Sequence, residues 1–246
     1  MARRMAPIKE LIRRSAILVA ALTAIGGIAV QAWGQTPDTP SYHSPTSVSL
    51  ENTAPLDIAL LPNWQRIRDW MVGSAPISDP SLSRWASWAT GLRSWPIAAR
   101  LDAINHRVND AFPYAADPTL WGAPNHWSTP QEIVAKGATD CKGFAIMKFW
   151  LARLAGIGGD NLALLVGILP HTHRMHAVLL VNVDGGSAIL DSLRGDVVDA
   201  AVSGEFRPLL AADLRGLRLF IHRQTGDGQA AIADASVDRN GRPKER

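Results

Sequence analysis

Residues 141–156, "CKGFAIMKFWLARLAG", put apolar side chains on nearly every side of a helix, with Phe144, Ile146, Met147, Phe149, Trp150, Leu151 and Leu154 ahead of a stop at Gly156. A helix with a single apolar stripe lies on a core, whereas one that is apolar all round has to be enclosed. The remainder of the chain must therefore supply cover from several directions, and this segment is predicted to be a buried central helix. Its first residue, Cys141, is the sole cysteine among 246 residues. No intrachain disulfide can brace the fold, and burial has to do that work.

The segments on either side show what the cover is made of. Leu82, Trp85, Trp88, Ala89 and Leu92 recur at helical spacing after Asp79-Pro80, and Leu101, Ile104, Val108 and Phe112 mark a second amphipathic helix. These stripes are expected in the core, with Trp85 and Trp88 also placed to line a groove. "STPQEIVAKG" predicts a short helix with Thr129 as N-cap, Pro130 at its first position, Glu132 completing a capping box and Gly137 as the stop. After the central helix the period becomes that of strands: 162–169, 176–183, 187–191 and 217–222. Helices first and hairpin-linked strands afterwards predict an α+β domain on an antiparallel sheet.

Composition bounds this domain to residues 57–223. Residues 1–32 have a basic start, an apolar run from Ala16 to Val30 and small residues up to Ala32, the plan of a secretory signal peptide. Residues 33–56 are rich in Pro, Ser and Thr and are expected to be a disordered leader, and 224–246 a polar disordered tail. The formal charge of +3 owes +4 to residues 1–32, which leaves the exported remainder at −1. That balance gives no footprint for nucleic acid. Periplasmic location, with no stable membrane anchoring after cleavage, is the expectation.

The chemistry gathers at three residues. Cys141 stands at the N-terminus of the central helix, where unpaired N–H groups and the helix dipole favour a thiolate, and Asp140 is the expected cap. If Asp184-Gly185 forms a two-residue type I′ turn, paired residue numbers sum to 369, and Asp191 becomes the diagonal neighbour of His176, about 7 Å across the ladder. A thiol, an imidazole and a carboxylate in that order supply a nucleophile, a base that returns its proton to the leaving amine, and a group that orients the ring. Each also has a plain structural use: Cys141 as a small buried hydrophobe, His176 as a core residue, Asp191 as a cap on the following turn. Trp127 either walls the substrate groove or packs beneath the helix. His171 and His173 could join His176 and Cys141 in a metal site, but the ligands would come mostly from one loop with one sulfur, so a solvated loop is the simpler expectation. Hydrolysis, acyl transfer to an amine, or a catalytically silent binding module all remain open on this pattern.

"HWSTPQEIVAKGATDC", with "HAVLLV" and "LDSL", resembles the bacterial transglutaminase-like cysteine peptidases across most of residues 75–223. The matching positions are Trp127, Pro130, Glu132, Gly137, Asp140, Cys141, His176, Ala177, Val178, Leu190 and Asp191. The resemblance implies a papain-like, transglutaminase-like α+β fold and the catalytic residues Cys141, His176 and Asp191. It also implies a protein or peptide substrate, with periplasmic trimming of surface adhesins in biofilm biology, and an inner-membrane regulatory partner. Family members usually continue Asp-Cys-Glu-Asp, with acidic residues helping to bind calcium. Lys142 and Gly143 stand there instead, and a hard cation loses two oxygen ligands. No cofactor or metal is therefore expected, and adhesin cleavage is not assured.

Overall fold

The computed structural model describes residues 50, 53–73, 80–183, 186–199 and 206–220. In chain order these form β1 (Thr53–Leu56), α1 (Pro62–Val72), α2 (Pro80–Gly91), α3 (Ile97–Ala111), α4 (Asp117–Trp121), α5 (Pro130–Lys136) and α6 (Cys141–Leu154). There follow β2 (Leu162–Leu169), β3 (Arg174–Val183), β4 (Gly186–Leu190), β5 (Val198–Asp199), β6 (Arg207–Ala212) and β7 (Leu217–Phe220). The seven strands make one antiparallel sheet in the order β1-β7-β6-β2-β3-β4-β5.

The central helix is enclosed as its composition demands. α6 lies on β3 and β2, and α2, α3 and α5 close its other sides. Every residue from Cys141 to Ala152 is buried. Alternation along the strands divides the sheet's two faces. Leu162, Leu164, Val166, Ala177, Leu179 and Val181 join the large core under the helices, while Ala163, Leu165, Val178, Leu180 and Ile189 form a smaller cluster with Phe206 on the far face.

Trp64 ties α1 to this core. It meets Trp127 and Phe149 edge-on at 6.2 and 5.9 Å and donates its indole N–H to the Asp213 carbonyl at 3.0 Å. Buried indoles need such a partner.

Local signals in the sequence are met where they can be checked. α5 has the full capping box between Thr129 and Glu132, Pro130 in its first turn and Gly137 in the left-handed conformation at φ 67°. Asp140 caps α6 by accepting from the Gly143 N–H at 3.1 Å. The β3–β4 register runs from Val183↔Gly186 to Leu179↔Leu190, the pairing expected of a two-residue connection. Asp184 and Gly185 themselves lie outside the described residues, as do Asp79, the signal segment, most of the leader and the tail.

One expectation is corrected. Thr53–Leu56, assigned to the disordered leader 33–56, form an edge strand paired with β7. An edge strand needs one neighbour only, and it tolerates Pro55 because a missing N–H on the open side breaks no ladder bond. Trp85 and Trp88 meet their expectation: half-buried, they pack against the core and line a groove. They stack against the Arg107 guanidinium, 5.3 and 4.4 Å from their ring centroids, in an open groove of about 560 Å³ shared with His106 and Asp110. Cation–π contact lets these rings pack on the core while one face stays near water.

Candidate active site

α6 delivers Cys141 by a two-part anchor. The chain before it is held by the Thr139 N–H donating to the Pro113 carbonyl and the Ala115 N–H donating to the Thr139 carbonyl, which sets Tyr114 beside Thr139. Gly143 then allows a close approach: a Cβ there would stand 1.8 Å from Thr139 Oγ1. The N–H groups of Cys141 and Lys142, in the first helical turn, have no acceptor within the helix. They face the same end as the sulfur.

β3 delivers the imidazole. His176 pairs with Gly167 across the β2–β3 ladder, at the point where β2 and β6 shift register. Gly167 is required there, since a Cβ would stand 2.2 Å from the Arg207 carbonyl oxygen. His176 is buried, its ring edge-on to Phe206 at 6.3 Å. Its Nε2 bonds Asp191 Oδ1 at 2.6 Å, and the Cys141 sulfur lies near enough to influence the imidazole's charge. With Nε2 committed to the carboxylate, Nδ1 is the nitrogen left for sulfur.

Burial alone would push the His176 pKa down. The bond to Asp191, then the bond and charge of Cys141, outweigh it and raise the imidazole to about 9. Burial would raise Asp191, but the His176 bond and charge, the Leu193 N–H at 3.0 Å and the Lys148 charge hold it below the usual carboxylate range. Near neutrality the arrangement favours a charged imidazolium beside an ionised carboxylate.

Asp191 is in turn held by residues that the sequence did not single out. Asn109 Nδ2 donates to the Asp191 and Arg194 carbonyls at 3.0 and 2.8 Å. One turn earlier on α3, Asn105 Nδ2 donates to the Arg194 and Gly195 carbonyls at 3.0 and 2.9 Å. Lys148, fully buried on α6, donates to Asn105 Oδ1 at 2.7 Å. Burial lowers the Lys148 pKa to about 7, against a weaker opposing pull from Asp191. A polar Asn105 beside the apolar stripe, repeated four residues on by Asn109, was the available signal. So was a lysine inside an otherwise apolar helix.

The structure thus brings Cys141, His176 and Asp191 together and leaves Trp127 apart. Trp127 is fully buried, packs on Trp64 and donates its N–H to Asn125 Oδ1 at 3.1 Å. It is a core residue, not a groove wall, because its ring packs edge-on against Trp64 with no face left to solvent. His171 and His173 are exposed in the β2–β3 turn. Tyr114, half-exposed, lies close enough to Cys141 and Asp140 for their charge, after burial, to raise its phenol pKa.

Lys142 has an unexpected place. Its Nζ is buried between two carboxylates, bonding Asp117 Oδ2 at 3.0 Å and Asp140 Oδ2 at short range. Burial opposes its charge, but Asp140, then Cys141 and Asp117, outweigh that and hold the ammonium well above the ordinary lysine range. Asp117 is itself pushed up by burial and by Asp140, against the pull of Lys142, and its Oδ2 also accepts the His126 N–H at 2.8 Å. Among the described residues no three His, Cys, Asp or Glu side chains converge as metal ligands. A divalent cation does not fit between carboxylates already bonded to an ammonium.

Comparison with known proteins places these features in a family context. The model of the bacterial transglutaminase-like cysteine proteinases matches residues 93–205, a span containing Cys141, His176 and Asp191. LapG of Legionella pneumophila is similar in structure at 25% identity and a TM-score of 0.51, over 68% of this chain and 90% of that one. Calcium-bound and EGTA-treated forms of the same protein align at 22% and 24% identity, each over 68% of this chain, covering 94% and 87% of theirs, both with a TM-score of 0.51. No curated protein matches the sequence.

Proposed function

We propose, from the match of residues 93–205 to the bacterial transglutaminase-like cysteine proteinases and the likeness to LapG, that the chain is a cysteine peptidase with Cys141, His176 and Asp191 as its catalytic triad, hydrolysing an amide bond of an exported protein or peptide. The observation that carries the assignment is the buried His176–Asp191 pair, Nε2 to Oδ1 at 2.6 Å, with Cys141 at the N-terminus of the central helix near enough to influence the imidazole. The Cys141 thiolate attacks the carbonyl carbon, forming the C–S bond. The oxyanion is met by N–H groups of the first turn of α6. The imidazolium gives its proton to the leaving nitrogen as the C–N bond breaks, which leaves a thioester and a neutral ring. Water then attacks the thioester, passes a proton to His176 and releases the acid, restoring the ion pair.

Residues 1–32 support export, so the substrates within reach are periplasmic and cell-surface proteins. LapG is recorded in a calcium-bound form. For this chain hydrolysis proceeds without a metal, since the space between Asp117 and Asp140 holds Lys142.

The test uses the purified full chain with an unfolded protein substrate, scoring new amino termini. Cys141→Ala should abolish hydrolysis and leave the unfolding midpoint in place. Hydrolysis that survives in Cys141→Ala would remove the sulfur from the mechanism.

A further inference from the structure

We infer that Lys142 is a tethered cation that takes the place of a metal ion at the N-terminus of the nucleophile helix and positions Cys141 by locking Asp140 and Asp117 together. The inference rests on the triad assignment for its functional meaning, but its geometry is independent of it. Four contacts meet at this point. Asp140 uses Oδ1 to cap α6 through the Gly143 N–H and Oδ2 to hold the ammonium. Asp117, at the start of α4, uses its Oδ2 for the same ammonium and for the His126 N–H. One cation therefore fixes the helix cap, the 117–126 segment and the turn before Cys141 in a single cluster.

The burial is too complete for a casual surface pair. Lys142 is 1% exposed, and Asp117 and Asp140 are 4% and 5% exposed. Two carboxylates so buried cannot both stay ionised without a cation between them, and a buried charge left alone is far more costly than the pair. A divalent ion would need several oxygens around it, but among the described residues these two carboxylates are what the site offers, and both are already bonded to nitrogen donors. Cys141 is the residue just before Lys142, and the sulfur's charge is among the influences that keep the ammonium protonated. Lys142 is a positioning residue, bonded to the cap and not to the reacting atoms.

The experiment compares the parent full chain with Lys142→Met, Lys142→Arg and Lys142→Glu, each in EGTA and in millimolar calcium. It measures the unfolding midpoint and the rate of Cys141 alkylation by iodoacetamide against pH. The parent should give the same midpoint and the same alkylation profile in both media. Lys142→Met should lower the midpoint and slow alkylation near neutrality several-fold, and Lys142→Arg should recover part of both. Lys142→Glu, with three carboxylates together, should be unstable in EGTA and gain stability and alkylation rate from calcium. A parent whose midpoint or alkylation responds to calcium overturns the inference. So does a Lys142→Met variant that alkylates like the parent, or a Lys142→Glu variant indifferent to calcium. If Lys142→Glu does not fold in either medium, the parent and the other two variants still decide. Peptide hydrolysis is scored separately: activity that survives Cys141→Ala sinks the triad assignment, while the stability and calcium arms go on judging Lys142.

Discussion

Replacing Lys148 with methionine should change how stability depends on pH more than it changes stability itself. Lys148 has a pKa of about 7 in the folded chain against an ordinary 10.5. A base depressed in this way binds fewer protons folded than unfolded between those values, so stability rises with pH through that window and the full cost is present below 7. His176 has the opposite sign. It is raised from 6.5 to about 9, so its contribution is complete below 6.5 and is lost as pH climbs through 9. Each unit is worth about 1.4 kcal/mol. Between pH 7 and 9 Lys148 should therefore add about 3 kcal/mol while His176 takes away about as much, and the parent should be nearly flat. Lys148→Met removes the rising component. It also leaves Asn105 Oδ1 without its donor, a roughly pH-independent loss of about 1–3 kcal/mol. Urea unfolding followed by fluorescence of the buried tryptophans Trp64, Trp127 and Trp150 at pH 7, 8 and 9 measures both curves. All other titrations are common to the two proteins, so the difference isolates Lys148. It should widen by about 3 kcal/mol over the two units. Parallel curves would refute the argument, because they would mean that the folded chain holds Lys148 charged at little cost.

Two further outcomes follow from the site. Asp191→Asn should keep the fold but cut turnover by about 10- to 100-fold, since a hydrogen bond to a charged partner is worth about 1.5–3 kcal/mol. Loss of the carboxylate should also move the alkaline limb of the pH–rate profile to lower pH, and a variant as fast as the parent would exclude Asp191. Gly143→Ala would ordinarily gain about 1 kcal/mol in a helix. Here the Cβ meets Thr139 Oγ1 at 1.8 Å in a fully packed site, so the unfolding free energy measured by denaturant should fall by about 1–3 kcal/mol, and adding Thr139→Ala should recover part of it.

Much of the architecture was legible because burial writes itself as periodicity. The enclosed helix, the strand at 162–169 and the β3–β4 register could be read from apolar spacing, and capping chemistry fixed both ends of α5. β1 and β6 were not legible for a related reason. Thr53–Leu56 has one neighbour and little to bury, and the β2–β6 ladder shifts register between Val166 and Gly167, so neither shows a clean alternation. Trp127 failed as a groove residue because a large aromatic near a nucleophile in sequence carries no information about which way its ring turns.

The two lysines of α6 show why the polar half of the site could not be read the same way. A lysine in an apolar helix departs from the pattern, but its energetic meaning depends on groups distant in sequence. Lys142 finds Asp117, 25 residues before it, and stays charged. Lys148 finds the neutral amide of Asn105, 43 residues before it, and is left near the edge of deprotonation. Identical side chains six residues apart on one helix thus act in opposite directions. The first holds its charge between Asp117 and Asp140 at the start of α6, and the second links α6 through Asn105 to the loop that follows Asp191. Both lysines connect the central helix to residues of the other segments around the site. The apolar pattern specifies that the helix is buried, and these buried polar contacts specify how Cys141 and Asp191 are held once it is.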